Sequence, residues 1–313
     1  MKAYVYKKYG PPEEVKSIER EIPSPKENEL LIKVKAIGLN PLDYRIRRGS
    51  LRPFTNFNFP RQTASDFSGE VVEVASENSS FKTGDLVYGM VFQLKSGASA
   101  EYIISKEDYL FHAPESIKLE DAASVPLAAQ TSLQALRDLG QLKKGMRVLI
   151  NGASGGVGVF AVGLSKIFEA HVTAVTSYRN ISLVKKLGAD DVVDYTKDDF
   201  TQRKETFDII FDCWGNKNFN IAKDNLTSSG IYISTIPNSK NFFSSFKTSF
   251  ASKRGKVVLV KSKKEDLAYL KNVIESGDLK VIIEKTFFQD EIVEAYKHLE
   301  SKRTKGKIIV VLS

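Results

Sequence analysis

The chain has 313 residues, 42% hydrophobic and 27% charged, a balance that supports one or two buried cores and excludes a disordered, collagen-like or disulfide-scaffold protein. Lys plus Arg outnumber Asp plus Glu by 46 to 38, a net charge of +8 that favours anionic partners modestly. The basic residues read as spread along the chain without a long block, so a nucleic-acid partner is not expected.

The first part of the chain reads as β-rich. Strands are expected at 3–7, 29–37, 69–74, 86–91 and 100–104, separated by Pro and Gly signals such as Pro11-Pro12 and Thr83-Gly84-Asp85. Short strands at that spacing suggest a barrel-like or sandwich module. From about Leu119 helices and strands alternate. A helix from Ala128 to Leu139 stops at Gly140 and leads to a strand at 147–151. Five further strands are expected at 171–176, 191–194, 207–212, 231–236 and 256–260, which completes the six of a doubly wound parallel sheet. Helix spacing lies between them, in Ile181, Val184 and Leu187 and again in Phe219, Ala222 and Leu226. The tail shows a helix with Leu267, Leu270 and Ile274 on one face, a strand at 280–284, a helix with Ile292, Tyr296 and Leu299, and a last strand at 307–312. Periodicity leaves open whether that last strand extends the parallel sheet or returns to the first module.

Cys213 is the single cysteine, and the three histidines are scattered, so no metal site is expected. The start lacks the apolar core of a signal peptide, and no apolar run approaches the roughly 18 residues that span a bilayer. A cytoplasmic protein without a membrane partner is expected.

The chemistry-bearing motif is Asn151-Gly152-Ala153-Ser154-Gly155-Gly156-Val157-Gly158, between a hydrophobic strand and an apolar helix running from Val159 to Phe168. Small residues at such a turn let the backbone approach a pyrophosphate, and the free N–H groups of the helix start donate to it. Strand before and helix after distinguish it from an isolated glycine pattern. The end of the second strand, Thr176-Ser177-Tyr178-Arg179-Asn180, has no acidic residue to accept from a ribose hydroxyl, whereas Ser177 and Arg179 suit a phosphate. NADPH is therefore the expected cofactor. The alternative is that Ser177 and Asn180 are a plain helix cap, with Arg179 in solvent.

These residues carry a resemblance over nearly the whole chain. The sequence resembles the medium-chain dehydrogenase/reductase family, and within it the zinc-free quinone oxidoreductase and alkenal (enone) reductase branch. Gly38-Leu39-Asn40-Pro41-Leu42-Asp43 is similar to that family's GLNPxD segment. Asp66-Phe67-Ser68-Gly69 is similar to the turn where the zinc enzymes carry glycine, histidine and glutamate, and those metal ligands are missing. Ser124 to Thr131 and Thr304 to Ile309 also fit. The resemblance implies a Rossmann-type α/β domain at 121–264, a β-rich GroES-like catalytic domain at 1–120, and a return of 265–313 to the latter. It places Thr131 near the nicotinamide, Tyr195, Cys213 and Thr235 along the cofactor, and Lys302 or Arg303 reaching it from the tail. A homodimer is implied as well.

Without a metal, the simplest reaction is direct hydride transfer to a quinone or to the β-carbon of an α,β-unsaturated carbonyl. Asn40 and Arg45 are the candidates to stabilise the resulting oxyanion, with Arg45 serving either the product or the cofactor phosphates and Asp43 orienting the segment. The cofactor-binding candidates are Thr131, Ala153, Ser154, Gly155, Gly156, Val157, Thr176, Ser177, Arg179, Tyr195, Cys213, Thr235 and Lys302. Asn40, Phe54 and Phe59 are expected to meet the substrate. A second aromatic group, Phe242, Phe243, Phe246 and Phe250, reads either as pocket lining or as core or subunit interface. The alternative functions are a non-catalytic NADPH-binding scaffold and an RNA-binding relative of the same fold. Neither has a feature in its favour: the sequence reads without an arginine-rich segment, a basic stripe with interleaved aromatics or a dedicated single-strand motif.

Overall fold

The computed structural model describes residues 1–52, 58–91 and 97–312. The chain forms two compact units. The first comprises Met1–Ala128, Ser262–Gly277 and Ile283–Ser313, and the second Ala129–Lys261 with Asp278–Ile282. The boundaries fall at 128 and 261, not at 120 and 264, because the short Leu119–Ala122 helix packs on the Glu29–Leu39 and Asp66–Val74 strands of the first unit. Leu279 is buried, and its side chain faces Gly163 of the second unit, which assigns 278–282 there.

The first unit holds a seven-stranded sheet in the order Ile283–Phe288, Lys307–Val311, Glu29–Leu39, Asp66–Val74, Leu86–Met90, Leu110–His112, with Tyr102–Lys106 also paired to Glu29–Leu39. A three-stranded sheet, Lys16–Glu19, Lys2–Tyr6, Arg61–Gln62, stands beside it. Alternating apolar residues such as Ile32, Val34, Phe67, Val71, Val87 and Ile308 make the core. The last strand runs antiparallel to Glu29–Leu39, pairing Ile309 with Gly38, so the tail closes the first module. Its partner strand begins at Ile283, later than the expected 280–284, since the parallel register with Lys307–Val311 starts there.

The second unit is a six-stranded parallel sheet in the spatial order Asp191–Asp194, His171–Thr176, Arg147–Asn151, Phe207–Asp212, Leu226–Ser234, Arg254–Val257. This is the doubly wound order, with its switch point between Arg147–Asn151 and Phe207–Asp212. The expected helix through Leu226 is shorter: Phe219–Ala222 passes into a 3-10 turn ending at Asn225, and Leu226 opens a strand. Asn225 Nδ2 donates to the carbonyls of Phe200, Arg203 and Glu205, which fixes the turn. The helix entering this unit, Pro126–Leu133, widens into a π-helix over Gln134–Leu139. Among the described residues no helix is long and apolar enough to cross a membrane.

Candidate active site

In the second unit the Arg147–Asn151 strand delivers the chain into the glycine-rich turn at the switch point. The N–H groups of Gly152 and Ala153 both donate to Val175 O, at 3.1 Å each, which ties the turn to the neighbouring strand. Gly152 adopts φ +82, a left-handed conformation that favours glycine. A Cβ on Gly158 would lie 2.2 Å from Gly152 O and 2.7 Å from the Ala153 backbone, so turn and helix approach more closely than any side chain permits. The Gly156–Ile167 helix starts here, and its first amides have no intrahelical acceptor.

Ser154 joins the turn to the end of the second strand. Its Oγ accepts from Thr176 Oγ1 at 2.8 Å and from Asn180 Nδ2 at 3.0 Å. Asn180 Oδ1 is buried without a hydrogen-bond partner, and neither Ser177 nor Asn180 makes a side-chain cap bond. The plain-cap alternative therefore has no hydrogen bond behind it. Ser177 is half-buried, and Arg179 is exposed beside it. The close backbone turn and the absence of an acidic residue over 176–180 fit a phosphorylated dinucleotide.

The other expected cofactor contacts are dispersed over both units. Thr131 is buried in the Pro126–Leu133 helix, and Gly155, Gly156 and Val157 are half-buried at the turn. Tyr195 is exposed, with its N–H on Thr176 O. Cys213 is half-buried; desolvation, then the Asp212 charge, push its thiol up, so it stays protonated. Thr235 Oγ1 donates to Cys213 O at 3.3 Å. Lys302 is exposed, at φ +58, in the first unit. Sequence reasoning missed Asp212, which accepts from Asn151 Nδ2, the Gly215 N–H and Tyr232 Oη at 2.8, 2.8 and 2.6 Å and so positions the 213–215 turn.

In the first unit the GLNPxD segment forms the Pro41–Arg47 helix, and Asp43 Oδ2 accepts from the Asn40 N–H at 2.7 Å. Asn40, expected to donate to a product oxyanion, is buried with its amide committed. Its Nδ2 donates to Asp66 Oδ2 at 2.9 Å and to Gly38 O at 3.4 Å, and its Oδ1 accepts from the Lys307 ammonium. Both ends of the Asn40 amide thus have partners within the chain. Asp66 also accepts from the Leu127 N–H at 3.0 Å, and Lys307 Nζ stands 3.8 Å from it and donates to Leu39 O. Arg45 is half-buried, and its guanidinium has no hydrogen-bond or ion-pair partner among the described residues. Phe59 packs edge-on against Tyr6 and Tyr9, with centroids 5.7 and 5.1 Å away, and is about one-third exposed. Phe54 lies outside the described residues.

Two buried carboxyls thus share one buried ammonium. Burial, opposed by the Asn40 N–H and reinforced by the Asp66 charge, pushes Asp43 up to about 7. Burial, opposed by the Lys307 charge, pushes Asp66 up to about 6, and burial pulls Lys307 down. A carboxyl whose folded pKa exceeds its unfolded value holds its proton more tightly in the folded state. The stability it contributes is complete below the ordinary carboxylate range and is lost as pH rises through the folded pKa. Stability is therefore expected to fall between about pH 4 and pH 7. Asp43→Asn should flatten that slope by an amount on the order of a few kcal/mol. Denaturation midpoints of wild type and variant across this range check the prediction, and parallel profiles would refute it.

A nucleotide-binding doubly wound sheet joined in sequence to a GroES-like β module defines a two-module dehydrogenase or reductase. Residues 26–115 match the family model described as alcohol dehydrogenase GroES-like domain, and residues 187–310 match that described as zinc-binding dehydrogenase. The chain is 34% identical to the chloroplast envelope quinone oxidoreductase homolog of Arabidopsis thaliana, over 99% of this chain and 98% of that one. It is 31% identical to a 2-methylene-furan-3-one reductase of Solanum lycopersicum, over 99% and 79%. A solved quinone oxidoreductase structure from Coxiella burnetii superposes with TM-score 0.91 at 31% identity, over 100% of this chain and 99% of that one. The chain belongs to the medium-chain dehydrogenase/reductase family, with quinone oxidoreductases among its relatives.

The family's zinc does not fit the residues present. Among the described residues no three His, Cys, Asp or Glu side chains converge to hold a metal, and Asp66 is held by an amide, a backbone N–H and an ammonium. A zinc site needs several converging Cys, His or carboxylate ligands, and a neighbouring ammonium opposes a divalent cation.

Proposed function

We infer that this protein is an NADPH-dependent oxidoreductase that reduces a quinone, or the β-carbon of an α,β-unsaturated carbonyl, without a metal. The observation that carries the reading is the end of the second parallel strand. There Ser154, Thr176 and Asn180 form a hydrogen-bonded floor, residues 176–180 carry no acidic side chain of their own, the neighbouring Asp194 carboxylate is taken up by Thr196 and the Tyr178 N–H, and the exposed Arg179 is available to a phosphate.

When bound, the nicotinamide supplies the hydride. The chain's own residues do the rest. The backbone from Ala153 to Val157 takes the pyrophosphate, with the helix start favouring negative charge. Ser177 and Arg179 hold the phosphate that distinguishes NADPH from NADH. Thr131, Tyr195, Cys213 and Thr235 line the rest of the cofactor, and Lys302 approaches from the tail. Arg45, with no protein partner among the described residues, offers its charge to the oxyanion that forms on the acceptor or to the cofactor phosphates. Asn40 and Asp43 position the Arg45 helix through Asp66 and Lys307. Phe54 and Phe59 supply apolar surface to the acceptor. The reading takes the protein as a cytoplasmic homodimer; its one cysteine supports a reducing compartment, although the Arabidopsis relative is named for the chloroplast envelope.

The test is cofactor discrimination. Arg179→Ala should weaken NADPH binding about tenfold and leave NADH binding unchanged, read by titrating nicotinamide fluorescence. Unchanged NADPH affinity in that variant would remove the assignment.

A further inference from the structure

The His171–Thr176 and Asp191–Asp194 strands pair in parallel with Thr176 opposite Asp194, so the turns that follow them leave the same end of the sheet side by side. Hydrogen bonds fasten one turn to the other. The Tyr195 N–H donates to Thr176 O at 3.0 Å, and the Asp194 carboxylate accepts from the Tyr178 N–H as well as from the N–H and Oγ1 of Thr196, at 3.0 and 2.7 Å. The Lys197 N–H then donates to Asp194 O at 3.0 Å, which closes the second turn. This geometry sets the Lys197 ammonium over the Tyr178 ring, 5.6 Å from its centroid, with Arg179 next in the chain. All three side chains are exposed.

Five aspartates stand among residues 190–199, a density of negative charge that would oppose an anion there. Each of them has a partner. Asp190 pairs with Lys166 at 2.8 Å, Asp191 with His171 at 2.7 Å, Asp198 with Arg203 at 2.6 Å and Asp199 with Lys217 at 2.7 Å, and Asp194 is held by the turn bonds above. Lys197 lies inside this acidic stretch and yet, like Arg179, it is neither hydrogen-bonded nor ion-paired among the described residues. Two uncommitted cations are thus left at the end of the second strand.

We propose that Lys197, resting on the Tyr178 ring, is a second ligand of the adenosine 2′-phosphate, so that Lys197 and Arg179 together set the preference for NADPH over NADH. The proposal rests on the reading of NADPH as the cofactor and adds a residue outside the motif that suggested it. A phosphate monoester carries close to two negative charges at neutral pH, and one guanidinium leaves much of that charge unmatched. A second cation completes the match. At an exposed site a ring face attracts an ammonium only weakly, so Tyr178 keeps Lys197 near its post and releases it to a doubly charged oxygen cluster. The aspartates bonded to His171, Arg203, Lys217 and Lys166 do not draw it away.

Equilibrium binding by the full chain tests the proposal, with NADPH and NADH titrated by nicotinamide fluorescence and adenosine 2′,5′-bisphosphate and 5′-AMP as competitors. Lys197→Met should weaken NADPH and the bisphosphate about three- to tenfold, leave NADH and 5′-AMP unchanged, and lose less at high salt. Lys197→Arg should keep most of the preference. Lys186→Met is the control for net charge: it removes an exposed cation from the Ile181–Lys186 helix and should alter none of the four affinities. Unchanged NADPH affinity in Lys197→Met, beside a weakened Arg179→Ala, overturns this proposal and leaves the cofactor reading standing. An equal loss in Lys186→Met, or an equal loss of NADH in Lys197→Met, also overturns it. Wild type that binds NADH as tightly as NADPH overturns both the proposal and the reading beneath it.

Discussion

Lys307→Met is expected to lower the free energy of unfolding by about 3–5 kcal/mol, the range for removing one partner of a buried charge cluster. Methionine keeps most of the aliphatic stem, so the loss is electrostatic and not a large cavity. The ammonium is the only cation drawn close to Asp66 among the described contacts, and it also bonds Asn40 Oδ1 and Leu39 O. Without it, two fully buried carboxyls face each other through Asn40, and an amide oxygen loses its donor. Adding Asp66→Asn to Lys307→Met should recover part of the loss, because the uncompensated charge is then gone. Urea denaturation followed by circular dichroism measures both variants. A loss below about 1 kcal/mol for Lys307→Met would show that the cluster is solvated and does not fasten the last strand to the GLNPxD segment.

Gly158→Ala is expected to weaken NADPH binding by one to two orders of magnitude, about 1.4–2.8 kcal/mol. The added methyl would meet Gly152 O at 2.2 Å and Ala153 backbone atoms at 2.7 Å, and backbone cannot rotate away as a side chain does. The turn must open, which moves the amides that take the pyrophosphate. Gly155→Ala is the control for the fold: its methyl would have one ordinary contact, at 3.4 Å from Gly152 O, and should leave the unfolding midpoint close to wild type. Cofactor titration and thermal unfolding on the two variants separate loss of the site from loss of the fold. Equal NADPH affinity in Gly158→Ala and wild type would contradict the assignment of the turn.

Much of the α/β half was legible because each strand there is a short apolar run bounded by turn signals, and the doubly wound order follows from one glycine-rich switch point. The Arg147–Asn151, His171–Thr176, Asp191–Asp194 and Phe207–Asp212 strands match their expected bounds. Partners are harder to read than positions. Asn40 was visible as a polar residue in a family segment, yet its role depends on Asp66 and Lys307, which are remote in sequence and meet only when the last strand pairs with Glu29–Leu39. The Ser239–Lys247 helix escaped for the opposite reason. Apolar periodicity identifies the face that is buried, and here the buried face is Asn and Ser. The shortened Phe219–Ala222 helix shows a third limit, since Asn225 ends it through three carbonyls contributed by a distant turn.

The central claim is most directly tested by following the nicotinamide absorbance of NADPH, with NADH in parallel, against an ortho-quinone, a para-quinone and a short alkenal. The account predicts that NADPH is consumed faster than NADH with at least one of these acceptors, with no added metal and no loss of rate in the presence of a chelator. NADPH that binds but is not consumed with any of the three, or consumption that a chelator abolishes, would contradict it.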